Sequence, residues 1–231
     1  MDNIQIKPIA YIKSDFSTKF GIPRQSGLVP QLLSTIIFNK EFRNPDALRG
    51  IDGYSHLWLI WQFSLAADKP WSPTVRPPRL GGNTRIGVFA TRSPFRPNSL
   101  GLSCVKLIGT EHTEQYGTVI HVAGADLLDG TPIFDIKPYI PYADSHPDAL
   151  GGFTDNAQDF ILDVHFPDEF LKLVPIDKQS ALLGVLSHDP RPSYQQDTDR
   201  VYGMNFAGLN IQFTVQDKNL HVINVTEEKS I

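Results

Sequence analysis

The sequence predicts a mainly β protein, in which an antiparallel β-barrel domain (residues 1–148) precedes a small α+β domain (residues 149–231). Strand-like segments dominate the first half and follow one another without amphipathic helices between them, which argues against a parallel doubly wound sheet. The composition changes after about residue 145, where helix-like apolar spacing begins. A chain of 231 residues suits one domain of about 140 residues with a smaller appendage.

The strands of the first domain are predicted from period-2 alternation and from runs of β-branched and aromatic residues. Residues 4–11 (IQIKPIAY) alternate apolar with polar side chains, whereas residues 55–63 (SHLWLIWQF) are almost wholly apolar and suit a fully buried central strand. Asp129-Gly130 is a turn signal between two short strands. The remaining predicted strands are 85–90, 102–108, 117–123, 125–128 and 133–137.

Two proline-rich loops interrupt this pattern. Residues 70–82 (PWSPTVRPPRLGG) hold four prolines and two glycines. They exclude a helix or a central strand, because proline lacks an N–H donor and fixes φ. A loop of this length without regular structure is usually functional. Residues 93–98 (SPFRPN) form a second, shorter loop of the same kind.

The second domain is predicted to combine two helices with three strands. Residues 163–174 and 177–187 have helix-compatible apolar spacing, with Asp177 as the N-cap of the second helix. The predicted strands are 201–206, 209–215 and 220–225.

The composition excludes several classes of protein. A single cysteine, Cys104, rules out a disulfide framework and a multi-cysteine metal site. The seven histidines lack ligand spacing, so we expect no metal, although a site assembled from distant histidines stays open. With no signal peptide and no apolar run near the roughly 18 residues of a membrane span, a cytoplasmic protein without a membrane partner is expected.

Charge is strongly segregated along the chain. The net charge is −4, yet the basic window, residues 69–110, has seven Lys or Arg and no Asp or Glu, a net charge of +7. The remaining 14 basic and 25 acidic residues give −11. A basic window on an otherwise acidic protein indicates a local anion site.

Two segments have the residue types of a functional site. In residues 87–103, Pro94 and Pro97 brace a loop that bears Arg92 and Arg96, which suits anion binding; the alternative is a rigid barrel corner with solvated arginines. In residues 126–144, the turn at residues 129–131 offers backbone groups and a carboxylate to a ligand. Asp135 and Lys137 share one strand face there, which favours an ion pair that could be purely structural.

Six motifs together resemble one protein family. The chain resembles the TsaA-like (TrmO-type) bacterial tRNA N6-methyltransferases, which act on threonylcarbamoyl-adenosine at position 37, beside the anticodon. The motifs are IPRQ (22–25), SHLW (55–58), PTVRPPRLGGN (73–83), GVFATRSPFRPN (87–98), DGTPIFDIKPY (129–139) and DPRP (189–192).

The resemblance implies S-adenosylmethionine (SAM) as cofactor, bound on a β-barrel rather than a Rossmann-type fold, and a homodimer. The absence of a G-x-G-x-x-G fingerprint agrees with that implication. By motif match, the cofactor-binding residues would be Pro23, Arg24, Gln25, Ser64, Leu65, Arg92, Leu102, Asp129, Gly130, Thr131 and Pro132.

Methyl transfer to a weakly nucleophilic, urea-like nitrogen calls for a proton acceptor or a stabilising cation. Asp126 or Asp135 would be the base, and Arg92 or Lys137 the electrostatic partner. An unstacked anticodon loop would be bound by arginines and aromatic side chains, and the candidates are Arg76, Arg79, Arg85, Arg96, Arg191 and Tyr194, with Trp71 nearby. We expect no DNA partner. A non-catalytic RNA-binding barrel and a SAM methyltransferase with another substrate remain the alternatives.

Overall fold

The computed structural model describes residues 4–155, 161–191, 197 and 200–228. The first domain contains β1 (Ala10–Lys13), β2 (Leu33–Phe38), β3 (His56–Gln62), β4 (Thr74–Val75), β5 (Ile86–Gly87), β6 (Leu100–Thr113), β7 (Gly117–Ala123), β8 (Pro132–Pro138) and α1 (Pro141–Asp144). The second contains β9 (Asp163–His165), α2 (Asp168–Leu171), α3 (Ile176–Ser187), β10 (Tyr202–Phe206), β11 (Leu209–Gln216) and β12 (Asn219–Glu227). Short 3-10 helices lie at Lys40–Phe42, Pro45–Leu48, Ile51–Gly53, Ser64–Ala66, Pro78–Leu80, Val88–Ala90 and Gly152–Thr154.

Six antiparallel strands of the first domain form a ring in the order β1-β2-β7-β6-β3-β8, and β8 pairs back with β1. The closure is uneven, because β1 and β8 share two residue pairs whereas β3 and β6 share seven. The inward side chains of Ile12, Ile36, Leu57, Leu59 and Ile120 are fully buried. Strands β4 and β5 pair separately within the proline-rich region. The prediction of a mainly β, antiparallel protein is confirmed.

Strand β3 is half-buried rather than fully buried as the sequence predicted. Leu57, Leu59 and Trp61 point inward, while the side chains between them are only partly covered. The reason is the closed ring, which gives every strand an inner and an outer face. On the outer face, the Trp58 indole N–H donates to Asp144 Oδ2 at 3.0 Å, which accounts for an aromatic residue at a partly exposed position.

Three other strand predictions need correction. Residues 4–8 are exposed and β1 begins only at Ala10; Pro8 has no N–H donor for a strand ladder. Residues 85–90 form only the two-residue β5, followed by a 3-10 helix. Residues 125–128 pair with no strand, although the Asp129-Gly130 turn after them is present. Strand β2 was missed despite its β-branched run TII (residues 35–37).

The second domain is a four-stranded sheet in the order β10-β11-β12-β9, with β9 and β12 parallel. The three strands predicted there are confirmed. The helix predicted over 163–174 is wrong: this stretch forms β9 and the short α2, and Pro167 directly precedes α2. Pro175, not Asp177, occupies the N-cap of α3.

The buried apolar residues of the segment between β1 and β2 belong to the core of the second domain. Phe16, Val29 and Leu32 belong to the same buried cluster as α3 and strands β10–β12. Asp15 joins the two domains as well, since its carboxylate accepts from Lys178 Nζ at 2.7 Å and its carbonyl accepts from Ala207 N at 2.8 Å. This segment carries the IPRQ motif, so the second domain supports one of the predicted site motifs.

Candidate functional site

A cavity of about 550 Å³ lies where β3 ends and β6 begins. Five stretches of the chain line it, and most of them are distant in sequence. The lining residues fall within 19–25, 61–69, 91–96, 100–102 and 126–131. Strand pairing holds two of these stretches together, because Trp61 lies opposite Gly101 and Gln62 opposite Leu100.

Eight of the eleven residues predicted to bind the cofactor line this cavity. They are Pro23, Arg24, Gln25, Ser64, Leu65, Arg92, Leu102 and Thr131. The other three, Asp129, Gly130 and Pro132, do not line it. The structure therefore brings together residues of three separate motifs (22–25, 87–98 and 129–139) with Ser64, Leu65 and Leu102.

Asp129, Gly130 and Pro132 instead shape the turn that leads into β8. Asp129 Oδ1 accepts from Ser14 N at 2.9 Å, and Gly130 has φ 75°, a conformation that favours glycine. Gly130 N donates to Ile12 O at 2.9 Å, and Ile12 N donates to Thr131 O at 3.1 Å. These bonds fix Thr131, which is buried against the cavity.

A hydrogen-bonded chain ends at the Asp126 carboxylate. The Trp61 indole N–H donates to Ser103 Oγ at 2.9 Å, and the Ser103 hydroxyl donates to Asp126 Oδ1 at 2.6 Å. Burial raises the pKa of the Asp126 carboxyl above its usual range, while the Ser103 bond and the Arg92 charge act in the opposite direction. A partly desolvated carboxylate held on one oxygen has the character of a general base.

Gly101 makes this arrangement sterically possible. It lies directly opposite Trp61 in the β3–β6 pairing. A Cβ atom at position 101 would lie 2.3 Å from Trp61 Cε2, a severe clash with the indole ring. The indole therefore packs flat against a bare backbone, and its N–H reaches Ser103.

Arg92 and Arg96 have different surroundings in the proline-braced loop. Arg92 is exposed and contacts the Gln25 side chain across the cavity. Arg96 is half-buried and donates to Thr91 O at 2.6 Å and Val88 O at 3.2 Å. Arg96 thus holds the loop in shape, and Arg92 is the arginine that it presents to the cavity.

Asp135 and Lys137 are not brought to the cavity. They form an ion pair of 2.8 Å between Oδ2 and Nζ on β8. In the β3–β8 register, Asp135 lies opposite Ile60 and Lys137 lies opposite Trp58, on the outer face of the ring. Asp135 raises the pKa of Lys137 by hydrogen bonding and charge. The predicted ion pair is confirmed, and Asp126 is the predicted carboxylate that lies at the cavity.

The predicted RNA-contacting residues are spread over several surfaces. Arg76 and Arg85 are exposed, and Arg85 donates to Thr74 Oγ1 at 2.9 Å. Arg79 lies in the 3-10 helix Pro78–Leu80. Arg191 is largely buried and paired with Asp189. Tyr194 lies outside the described residues.

Sequence reasoning missed several residues of the cavity. Trp61, Ser103 and Phe95 were not singled out, yet the first two form the chain to Asp126 and Phe95 lines the cavity. Ser103 gave one signal, a polar side chain at an inward position of an apolar strand.

The residues described contain no group of three His, Cys, Asp or Glu able to hold a metal ion. Nor do they include a helix long and apolar enough to cross a membrane.

Comparison with known proteins identifies both domains. The family model for the tRNA-methyltransferase O N-terminal domain matches residues 11–145, and the one for the TrmO C-terminal domain matches residues 161–228. The tRNA (adenine(37)-N6)-methyltransferase of Escherichia coli K12 is 38% identical over 230 residues, covering 96% of this chain and 97% of that protein.

Further relatives agree with this match. A putative S-adenosylmethionine-dependent methyltransferase, RcsF, of Pseudomonas aeruginosa is 39% identical and covers 90% of this chain and 91% of its own length. The crystal structure of TrmO from P. aeruginosa superposes with a TM-score of 0.80 at 34% identity, covering 99% of both chains. Both family domains occur here in the same order, and the likeness extends over the whole length: the chain belongs to the TrmO family.

Proposed function

We propose that this protein is a SAM-dependent tRNA methyltransferase that methylates N6 of adenosine 37. Two relatives bear that activity in their names, and they match 96% and 71% of this chain. The observation that carries the proposal is the cavity, where the half-buried Asp126 carboxylate meets residues from three family motifs. A calorimetric titration with SAM is the first test of this proposal. A non-catalytic RNA-binding barrel would not bind SAM and would release no heat of binding.

The cavity suits SAM in size and chemistry. About 550 Å³ lies within the range of small-molecule sites. Its walls include the apolar side chains of Phe63, Leu65 and Leu102, which suit an adenine ring. Arg24 and Arg92 provide positive charge for a carboxylate. We place SAM here, on the barrel and not on a Rossmann-type sheet, with Pro23–Gln25, Ser64 and Thr131 as further contacts and the residue 129–132 turn as their support.

Asp126 is proposed to accept the N6 proton. SAM bound in this cavity would supply an electrophilic methyl group to N6, with the sulfur as leaving group. The nitrogen must then lose its proton, and the Asp126 carboxylate is the acceptor at the cavity. The Ser103 hydroxyl donates a hydrogen bond to Oδ1 of this carboxylate. The chain from Trp61 thereby fixes the orientation of the base, which matters because methyl transfer depends on alignment.

Arg92 is proposed as the electrostatic partner of this step. Its charge opposes the effect of burial on the pKa of Asp126, because a nearby cation favours the ionised carboxylate. Gln25 contacts the guanidinium. Together they hold a cation beside the position where negative charge develops on the acceptor nitrogen.

The finer substrate is proposed to be threonylcarbamoyl-adenosine in the anticodon loop. Its threonyl carboxylate is anionic, and Lys19 and Lys69 lie on the cavity wall. Exposed aromatic rings near the cavity suit unstacked bases: Phe89 is 74% exposed, Trp71 51% and Phe95 41%. The homodimer, the cytoplasmic location and the absence of a DNA partner remain predictions; sedimentation of the purified chain tests the first.

Replacing Arg76 and Arg79 by Ala is expected to weaken tRNA binding and to flatten its salt dependence. Each phosphate contact that is lost lowers the slope of log affinity against log salt by roughly 0.7 to 0.9. Binding is measured at several salt concentrations. Arg49→Ala is the control, since Arg49 is an exposed arginine outside the basic window, paired with Asp46. An unchanged slope in the double variant would remove both residues from the interface.

A further inference from the structure

The cofactor segment, residues 22–25, is held in place from the second domain. Its flanking residues Phe16 and Val29 are buried in the core of that domain. Gly21 packs so closely on β10 that a Cβ atom there would lie 2.2 Å from Met204 Sδ. Within α3, a Cβ atom on Gly184 would lie 2.7 Å from Val29 Cγ1. The cofactor segment therefore rests on a surface made by the second domain.

A direct hydrogen bond links this segment to the turn after α3. Arg24 Nη2 donates to the carbonyl oxygen of Arg191 at 3.1 Å. That carbonyl belongs to the 189–191 turn, in which Asp189 has φ 47°, a left-handed conformation that Asp tolerates. The turn thus places an acceptor at the edge of the cavity that Arg24 lines.

The 189–191 turn is braced internally. Arg191 Nε and Nη2 donate to the two carboxylate oxygens of Asp189 at 2.9 and 3.0 Å, and Arg191 N donates to Oδ1 at 3.2 Å. The Arg191 side chain is only 11% exposed. A bidentate arginine–carboxylate ion pair of this kind fixes the relative orientation of the two side chains as well as bringing their charges together. The Arg191 guanidinium therefore sets where its own carbonyl points.

We propose that the Asp189–Arg191 pair is a positioning element for the SAM site, acting through the Arg191 carbonyl on Arg24. This inference rests on the proposed function, since it assumes that SAM occupies the cavity. The path continues within the site, because Gln25 follows Arg24 and contacts Arg92, whose charge acts on Asp126. Changes in the second domain should then alter SAM affinity, and by reciprocity bound SAM should stabilise the 189–191 turn.

A double-mutant cycle on SAM affinity tests the coupling. Kd is measured by calorimetry for the wild type, Arg24→Ala, Arg191→Ala and the double variant. We expect Arg191→Ala to weaken SAM binding about fivefold in the wild-type background, the size of one hydrogen bond. In the Arg24→Ala background the same change should cost less than about twofold, because the link is already broken. Arg191→Lys keeps the positive charge but cannot form the bidentate pair with Asp189. Its Kd for SAM should lie between those of the wild type and Arg191→Ala.

Arg200→Ala is the matched control, an arginine of the same domain that lies over the Tyr202 ring at 5.3 Å. Its SAM affinity should equal that of the wild type. Equal losses for Arg191→Ala in both backgrounds, or no loss in either, would overturn the coupling while leaving the proposed function intact. Absence of SAM binding by the wild type would instead overturn the proposed function and this inference with it. Thermal midpoints verify that each variant is folded.

Discussion

Asp126→Asn is expected to lower kcat by roughly 10² to 10⁴, the usual contribution of a positioned general base. The amide retains the shape of the carboxylate and can still accept from Ser103, but it cannot take the N6 proton. SAM affinity should change by less than about threefold, because the cavity is otherwise intact. Single-turnover methylation of tRNA under saturating SAM measures the effect.

The pH profile gives this prediction a direction. Burial raises the pKa of Asp126, and only the ionised carboxylate accepts a proton, so wild-type turnover should rise with pH through that raised pKa and then level off. The residual turnover of Asp126→Asn should lack this acidic limb. Folding raises this pKa, so the charged carboxylate destabilises the folded state at neutral pH. The variant should therefore unfold at no lower a temperature than the wild type at pH 7.

Asp135→Asn is the comparison variant, because this carboxylate lies in the exposed ion pair with Lys137 on the outer face of the ring. We expect it to retain most of its turnover. Near-wild-type turnover in both variants would exclude a carboxylate base. A large loss confined to Asp135→Asn would move the base to β8 and contradict the role given to Asp126.

Gly101→Ala should be the most damaging single-methyl substitution in the site. The added Cβ would lie 2.3 Å from Trp61 Cε2, so the indole must move and its hydrogen bond to Ser103 is lost. Overpacking of this kind costs about 1 to 3 kcal/mol, which lowers the thermal midpoint by roughly 3 to 10 °C for a chain of this size. Methylation efficiency should fall at least about tenfold, because Asp126 loses its support.

Gly53→Ala is the control for this substitution. A Cβ atom there meets nothing within 4 Å and needs no positive φ. Calorimetric unfolding and kcat/KM of both variants give the comparison. If Gly101→Ala kept the wild-type midpoint and activity, the tight packing of Trp61 on residue 101 would not matter for the site.

The strands were predictable where a clear hydrophobic pattern in the sequence coincides with pairing to a neighbouring strand in the fold. Strand β7 matches its predicted bounds, and β10 to β12 match within two residues, because each pairs with a neighbouring strand and is bounded by turn residues, and β10 and β11 alternate cleanly. Residues 4–8 alternate equally well and yet are exposed, since alternation alone does not supply a neighbouring strand. The inward and outward faces of β3 depend on ring closure, which lies beyond any local window.

The candidate site was predictable only as separate motifs. Arg24, Arg92 and Thr131 were identified from their segments, and the fold brings them to one cavity. The hydrogen bonds that link Trp61 through Ser103 to Asp126 depend on the β3–β6 register. This register places Gly101 opposite Trp61 and Ser103 near Trp61. Nothing local to residues 189–191 indicates that their carbonyl meets Arg24. Such contacts are set by packing between domains.

The central claim is tested most directly by incubating the purified chain with tRNA and methyl-labelled SAM, followed by mass spectrometry of the digested nucleosides. The proposed function predicts one labelled methyl group on N6 of the position-37 nucleoside. The rate of labelling should fall about a hundredfold or more with Asp126→Asn, and label should be absent from tRNA that lacks the threonylcarbamoyl group. Label at another nucleoside would contradict the substrate assignment. An absence of label, despite measured binding of SAM and tRNA, would contradict the enzyme itself.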